Sequence, residues 1–427
     1  MTITIHRGIN QIGGCITEIK SVCGTKILID LGHNLPSGDE PTEDKFDDEA
    51  NLDSLLKDVK AVFYTHPHGD HVGFETQVSK RGIPQYIGSV SKELMLLLKG
   101  HLAYKGNPKY KAELDAFKEF HTFVEKDRIH IGDITVTPYF VSHSAPDAYM
   151  FLVECDNDKK KILHTGDFRD HGYRGKGLMP TINAFIARRK IDVLISEGTM
   201  LSRGDSRLMT ENELKYKAID IFKRHRNLFV MCSSMDADRL ASFYQAARAT
   251  KKMFVVDGFQ WKVLETIENT LGNKSDLYQF RGRRYYEKHM EEIQRASKEK
   301  GFVMMVRNNE KCRKFMDAII PTLDSSEICF LYSQFMGYIL PKHSAFQQKT
   351  YDFVHSHNWN LEYLHTSGHA SREALEEVCK KVNPRLAIIP IHRDAESDFR
   401  SLNIPQELKD RVVTKGTSIN DVEIVIK

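Results

Sequence analysis

A histidine-rich segment that directly follows a short β-rich run is the feature that most restricts what this chain can fold into. Residues 61–65 (AVFYT) lead into residues 66–71 (HPHGDH), which hold three histidines and an aspartate within six positions. Pro67 and Gly69 favour a tight loop, so the side chains can surround one point. Imidazole and carboxylate groups are the ligands that zinc and related divalent ions prefer. The segment therefore predicts a metal site at the end of a strand; the alternative is a solvated histidine-rich turn.

The rest of the chain changes character near residue 205. Before it, short β-rich runs predict strands at 2–6, 17–22, 25–30, 134–139, 149–155, 162–165 and 193–195, with one amphipathic helix at 91–99. After it, predicted strands (228–232, 253–256, 302–306, 328–332) alternate with predicted helices (212–224, 237–250, 261–270, 312–319), which is typical of βαβ units on a parallel sheet. A closing segment repeats this pattern at 361–364, 372–382 and 386–391.

Composition excludes several classes of protein. The 61 basic and 58 acidic residues give a formal charge of only +3, so a globally basic nucleic-acid coat is excluded while a local basic groove is not. The seven cysteines are scattered without a CxxC spacing, so we expect neither a disulfide framework nor a cysteine-built zinc site. Without a basic–apolar N-terminal segment or an apolar run of about 18 residues, we expect a cytoplasmic protein with no membrane partner.

The segment 66–71 resembles the HxHxDH signature of the metallo-β-lactamase superfamily. Asp30 closes an early strand and matches a structural aspartate, His143 follows a later strand, and Asp167 matches an aspartate that bridges two metals. These matches occur in the family's order, whereas His164 is expected to be an ordinary strand residue. The resemblance implies an αββα sandwich with the metals at one sheet edge.

Three later positions resemble motifs of the β-CASP group, the nucleic-acid-processing branch of that superfamily that includes ribonuclease J. Glu197 and His392 each follow an apolar run, and His369 lies in residues 365–370 (HTSGHA). In this group a histidine at the last position is associated with RNA-active members and a valine with DNA-active members. Taken alone, His369 also fits a helix N-terminus capped by Ser371, and His392 fits a packed core histidine. The order of these matches along the chain favours the β-CASP motifs over the helix cap and the packed histidine.

The resemblance covers nearly the whole chain and implies its domain organisation. Residues 1–204 would be the first part of the metallo-β-lactamase domain, 205–345 an inserted β-CASP domain, and 346–427 the return segment. The expected fold class is α/β, an αββα sandwich with an inserted α/β domain.

The resemblance also implies two divalent metal ions, with zinc expected and manganese as the alternative. One ion would be bound by His66, His68 and His143. The other would be bound by Asp70, His71 and His392. Asp167 and a hydroxide would bridge them, and the hydroxide would attack a phosphodiester. His369 would protonate the leaving group, Glu197 would orient His369, and Asp30 would hold ligand geometry.

Substrate contacts follow from the same resemblance. Phosphate contacts would come from His365, Ser367, Gly368, Ser233 and Ser234. Residues 281–286 (RGRRYY) combine cations with aromatics and fit either a single-strand track or a solvated surface. We expect single-stranded RNA as the partner. The oligomeric state, including a homodimer, stays open, because ribonuclease J proteins carry a C-terminal assembly domain and this chain ends shortly after His392.

The sequence therefore predicts a zinc-dependent ribonuclease with endo- or 5′-exonucleolytic action. Three alternatives stay open: a DNA nuclease, a thioester or lactone hydrolase of the same fold, and a non-catalytic RNA-binding protein. His392 argues against the first, and the long insertion and His369 argue against the second. The complete ligand set argues against the third.

Overall fold

A computed structural model describes residues 1–40, 42–104, 106–203 and 207–427. The described residues form two compact units. The first contains those of Met1–Leu35, Thr42–Leu208 and Gly368–Lys427, and the second contains those of Pro36–Pro41 and Met209–Ser367. Within the described ranges, no helix is both long and apolar enough to cross a membrane.

Two sheets build the first unit. The eight-stranded sheet has the order Thr417–Ile419, Val422–Ile426, Thr2–Arg7, Ile16–Lys20, Lys26–Ile29, Val59–Phe63, Gln85–Gly88, His121–Phe123. The six-stranded sheet has the order Ala387–Ile391, Val193–Glu197, Lys160–His164, Ala148–Cys155, Ile134–Val141, Ile129–Ile131. The helices of this unit are Glu49–Leu56, Glu75–Lys80, Ser89–Ala103, Pro108–Glu119, Leu178–Thr181, Arg372–Val382 and Gln406–Asp410.

Alternation along the strands decides which side chains meet between the sheets. In Lys26–Ile29, Ile27 and Ile29 join a core that also contains residues of the six-stranded sheet, whereas Leu28 packs in a cluster with helix residues on the outer face. Leu194 likewise faces the helix Arg372–Val382, since successive strand residues point to opposite faces. With helices outside both sheets, the αββα sandwich expected from the sequence is confirmed.

The second unit is an α/β domain around one parallel sheet. Its strand order is Arg284–Tyr285, Met253–Val256, Phe302–Met305, Asn227–Cys232, Ile328–Ser333, Asn360–Tyr363. All pairings between these strands are parallel, as the alternation of strands and helices predicts. Its helices are Glu211–Arg224, Ala237–Ala249, Gly258–Ile267, Met290–Lys298, Glu310–Ile319 and Gln348–Val354.

Several elements differ from the sequence expectations. Besides the predicted helix, the first 200 residues hold helices at Glu49–Leu56, Glu75–Lys80 and Pro108–Glu119. The sequence pattern did not indicate them, because each is short or rich in charged residues and buries few apolar side chains. Residues 346–367 lie in the second unit, with the strand Asn360–Tyr363 in its sheet, whereas the sequence placed them in the return segment. The boundary at 204/205 falls outside the described residues, and the domain assignment stays a prediction.

Candidate metal centre

The side chains singled out in the sequence follow strands that end at one edge of the first unit. Asp30 follows Lys26–Ile29, and residues 66–71 follow the parallel strand Val59–Phe63. His143, Asp167 and His392 follow three strands of the second sheet, which run in the same direction. Because the carboxyl ends of parallel strands meet at one edge, residues far apart in the sequence converge there.

Three histidines form the first group of converging ring nitrogens. Nδ1 of His68 lies 3.0 Å from Nε2 of His66 and 3.2 Å from Nε2 of His143. Nδ1 of His143 donates a hydrogen bond to the carbonyl oxygen of Gly368 at 2.6 Å, so its Nε2 presents a lone pair to the group. Burial lowers the pKa of His66 and His143 well below the usual value and also lowers that of His68. Neutral imidazoles that face one point are the form in which histidine binds a metal.

A second group contains Asp70, His71 and His392. Nε2 of His392 lies 3.3 Å from Oδ2 of Asp70, and Nε2 of His71 lies 3.8 Å from the same oxygen. The ring nitrogens that face away from the group have polar partners. Nδ1 of His71 lies 2.8 Å from Oδ2 of Asp30, and Nδ1 of His392 lies 2.7 Å from Oγ1 of Thr199. Such outer contacts fix the tautomer and the ring orientation of metal-binding histidines.

One carboxylate oxygen, Oδ2 of Asp167, lies between the two groups. Nitrogens of four histidines surround it at 3.2 to 4.0 Å, namely those of His71, His392, His369 and His66. An arrangement with this many nitrogens around a single oxygen is compatible with cations between them. Asp167 therefore has the position required of a shared ligand.

The electrostatics of the centre also call for a cation. Burial alone would raise the pKa of Asp70 and Asp167, but the neighbouring imidazoles His71 and His392 outweigh it and hold both below the usual value. Conversely, burial would lower the pKa of His71 and His392, but the carboxylates, with Asp167 foremost, raise it. The carboxylates therefore favour a positive charge at this position, which a bound metal ion would supply.

The donor set fits a divalent metal. Nε2 of His71 is buried and makes no hydrogen bond in the described part of the chain, although Asp167 lies nearby. Histidine and aspartate atoms close enough to share an ion occur in overlapping groups, among them His66–His68–His143 and His66–His71–Asp167. Nitrogen and oxygen donors of this kind suit zinc and related ions.

His369 lies beside these groups and is positioned by Glu197. Nδ1 of His369 lies 3.2 Å from Oε2 of Glu197, which is fully buried. Oε1 of Glu197 accepts hydrogen bonds from the backbone N–H groups of Phe168 at 2.9 Å and Ala370 at 3.3 Å. Ser371 caps the helix that follows, because its hydroxyl accepts from the N–H of Ala374. The segment is therefore a helix N-terminus, as its sequence also allowed, and it places His369 beside Glu197.

Asp30 and His392 have an uncommon backbone conformation. Their φ angles are +59° and +50°, in the left-handed region that side chains other than glycine rarely adopt. Eight other non-glycine residues in the described ranges share this region, and Asp and His tolerate it better than most residues. At Asp30 and His392 the angle turns the chain directly after a strand.

Three contacts of the centre were not predicted. Thr65 donates to Asp30 from both its N–H (2.8 Å) and its hydroxyl (2.9 Å), Thr199 contacts His392, and the sulfur of Cys15 lies near His71. Thr65 directly precedes residues 66–71 and Thr199 lies two positions after Glu197, so proximity to these motifs is the signal that the sequence offers. Cys15 follows a pair of glycines that marked only a turn.

The Thr199 contact leads to a testable expectation. Because the Thr199 hydroxyl donates to the carbonyl oxygen of His392 at 3.0 Å, it must accept from Nδ1, which leaves Nε2 available as a ligand. Thr199→Val should therefore weaken zinc binding at the second group by about 10- to 100-fold, measured by competition with a chromogenic chelator. Thr270→Val is the control, because within the described ranges the Thr270 hydroxyl donates to the carbonyl oxygens of Thr266 and Ile267 and lies in the second unit. Unchanged affinity for Thr199→Val would exclude this role.

The predicted substrate contacts are distributed over both units. Gly368 belongs to the first unit, where its carbonyl oxygen accepts from His143. His365, Ser367, Ser233 and Ser234 belong to the second, where Nη1 of Arg239 lies 3.1 Å from Nδ1 of His365. None of these contacts tests a substrate role, which stays a prediction.

The predicted single-strand track is only partly exposed, with Arg281 exposed and Arg284 and Tyr285 half-buried. Arg283 is buried and binds Glu268 at 2.7 Å, and Arg284 binds Glu292 at 2.8 Å. Tyr286 is also buried, at 2% exposure. The basic and aromatic side chains of this segment therefore mostly stabilise the second unit.

Comparison with known proteins agrees with this geometry. Residues 19–176 match the model of the metallo-beta-lactamase superfamily. Ribonuclease J of Mycoplasma genitalium is 26% identical over 363 residues, which cover 82% of this chain and 60% of that protein. Ribonuclease J of Mycobacterium tuberculosis is 30% identical over 172 residues, or 40% of this chain and 28% of that protein.

A solved structure shares the fold. The crystal structure of a protein of unknown function from Enterococcus faecalis V583 superposes with a TM-score of 0.67 at 18% identity, covering 92% of this chain and 93% of that one. The chain spans 60% of the length of the Mycoplasma genitalium relative and less of the Mycobacterium tuberculosis one. Together with the αββα fold, these matches show that the chain contains a metallo-β-lactamase domain and is similar to ribonuclease J proteins over most of its length.

Proposed function

We propose that this chain is a metal-dependent phosphodiesterase that hydrolyses RNA. The observation that carries the proposal is the convergence of two His/Asp groups on Asp167, with His369 beside them. The ribonuclease J name of its relatives and the histidine at position 392 support RNA as the substrate.

The metal-binding part of the proposal assigns every converging side chain. His66, His68 and His143 would hold one divalent ion, and Asp70, His71 and His392 would hold a second, with Asp167 shared. Zinc is the ion we propose, with manganese as the alternative. When bound, two such ions supply positive charge for a phosphodiester and make a nearby water more acidic.

The remaining steps belong to the side chains of the protein. The oxygen that leaves the phosphorus needs a proton, and His369 would donate it from the ring nitrogen that faces away from Glu197. Buried and held by backbone N–H groups, Glu197 fixes the ring of His369. Asp30 keeps Nε2 of His71 directed at the centre by binding its Nδ1.

Phosphate recognition is proposed for His365, Ser367, Gly368, Ser233 and Ser234. Within the second unit, His365 lies against Arg239, which is buried and also bonded to Glu211. The tautomer with its proton on Nε2 accepts from Arg239 and can donate a hydrogen bond to a phosphate oxygen, whereas the other tautomer donates from Nδ1 to the carbonyl oxygen of Ser333 at 3.2 Å.

A labelled-RNA assay tests the function. Purified full chain with zinc or manganese should cleave single-stranded RNA, and 5′-monophosphate and 5′-triphosphate substrates distinguish 5′-exonucleolytic from internal cleavage by product length. Asp70→Asn should lower the rate at least about 100-fold, because it removes a charged ligand at nearly constant shape. Asp410→Asn, an exposed aspartate of the same unit, should not change it.

The same assay separates the alternatives. Cleavage of matched single-stranded DNA in preference to RNA would indicate a DNA nuclease. RNA binding without cleavage in the presence of either metal would contradict an enzymatic function. Hydrolysis of thioesters or lactones without any action on RNA would indicate a small-molecule hydrolase.

A further inference from the structure

Cys15 lies at the second group of the metal centre. Its sulfur is within 4.8 Å of a ring nitrogen of both His71 and His392, and its side chain is only 1% exposed. The backbone is fixed to the same loop that carries the ligands, because the N–H of Cys15 donates to the carbonyl oxygen of Asp70 at 3.1 Å. The position of the sulfur relative to these side chains is therefore set by the fold.

The turn before Cys15 requires glycine. Gly13 and Gly14 have φ angles of +77° and +63°, and a Cβ at Gly13 would come within 2.8 Å of Oδ2 of Asp70. This close approach of the backbone brings residue 15 against the ligand loop.

A second, independent observation points to a ligand at the same place. Nε2 of His71 belongs to a side chain that is 1% exposed, and it makes no hydrogen bond in the described ranges. It lies 3.2 Å from Oδ2 of Asp167 and 3.8 Å from Oδ2 of Asp70, and His71 shares with Cys15 and His392 a group of atoms close enough to hold one ion. A metal ion between these donors would complete the bonding of this buried nitrogen.

We propose that the sulfur of Cys15 is a further ligand of the metal ion held by His71 and His392, and that it makes this site prefer zinc to manganese. The inference rests on the metal centre of the proposed function. A thiolate is a soft donor, which favours zinc, whereas carboxylate and water favour manganese. On binding, the thiol loses its proton to solvent as the metal–sulfur bond forms.

The metal-free protein provides the baseline for a test. Burial, together with Asp167, Asp30 and Asp70, raises the pKa of the Cys15 thiol well above its usual value. The spectrum of the metal-free chain is recorded first and subtracted. A thiolate signal that grows in proportion to added metal then reports the metal–sulfur bond.

Spectroscopy of the unaltered full chain is the first experiment. Titration with Co²⁺ should produce the ultraviolet charge-transfer band of a cobalt thiolate, and X-ray absorption of the zinc form should show a sulfur neighbour at about 2.3 Å. Two bound metals with only nitrogen and oxygen neighbours would overturn the inference while leaving the proposed function standing. A chain that binds no metal would overturn both.

Two cysteine variants give the matched comparison. Cys15 and Cys155 are both 1% exposed and belong to the same core between the sheets, but Cys155 joins none of the described metal-binding groups. Cys15→Ser should remove the cobalt band and weaken zinc binding at least about tenfold with little effect on manganese binding. Cys155→Ser should change none of these. Equal zinc affinity in both variants would overturn the inference, and the spectra of the unaltered chain decide it if Cys15→Ser does not fold.

Discussion

Replacing His369 with alanine is expected to lower the rate of RNA cleavage by about 100- to 10,000-fold, because the leaving oxygen then departs without a proton. The bound metal should stay at the level of the unaltered chain. The structural basis is the 3.2 Å approach of His369 to Glu197, a carboxylate fixed by two backbone N–H groups. Metal content by mass spectrometry and initial rates on labelled RNA are the measurements.

A substrate that needs no proton distinguishes this role from metal binding. With a nitrophenyl phosphodiester, whose leaving group is stable as an anion, His369→Ala should keep most of its activity. His369 also lies within 4.8 Å of His143 and Asp167 in a group that could hold an ion. Loss of a metal ion together with equal losses on both substrates would therefore assign His369 as a ligand. His355→Ala is the control, because the contacts of His355 in the described residues are with Tyr351 of the preceding helix.

Much of the centre could be predicted because its signals are local. The segment 66–71 carries four of the converging side chains, and Asp30, His143, Asp167 and His392 each follow a recognisable strand. Their convergence then follows from the direction of the strands, since carboxyl ends share an edge. Prediction was possible where sequence neighbours and strand direction together determine position.

What could not be predicted depends on contacts between distant residues. The carbonyl oxygen that orients His143 belongs to Gly368, and the hydroxyl that orients His392 belongs to Thr199. Neither contact can be read from the residues around it, because each joins positions about 200 residues apart. Arg283 looked like a surface cation, but its partner Glu268 lies in the preceding helical segment and removes it from solvent. The last two strands of the chain, Thr417–Ile419 and Val422–Ile426, were also not predicted. The second of them pairs with Thr2–Arg7 at the opposite end of the chain.

Removing the metal is expected to destabilise the first unit by about 4 kcal/mol relative to a zinc concentration 1,000-fold above the dissociation constant. The ligands lie in the first unit, while both tryptophans, Trp261 and Trp359, lie in the second. Calorimetry should therefore show the transition of the first unit shifting on chelation, while tryptophan fluorescence reports an unchanged second unit. An equal midpoint temperature of the first unit's unfolding with zinc and with chelator would contradict metal binding to the folded centre.

The metal-free form should also depend on pH in a defined direction. Carboxylates raise the pKa of His71 and His392 in the folded state. Their contribution to stability is therefore complete below the unfolded pKa of about 6.5 and is lost as pH rises through the folded values. Chelated protein should lose stability as the pH rises above about 6.5, and zinc should suppress this loss because the cation supplies the positive charge that the protons otherwise supply. His392→Ala should reduce the slope of the chelated form, and an unchanged slope would mean that other groups set it.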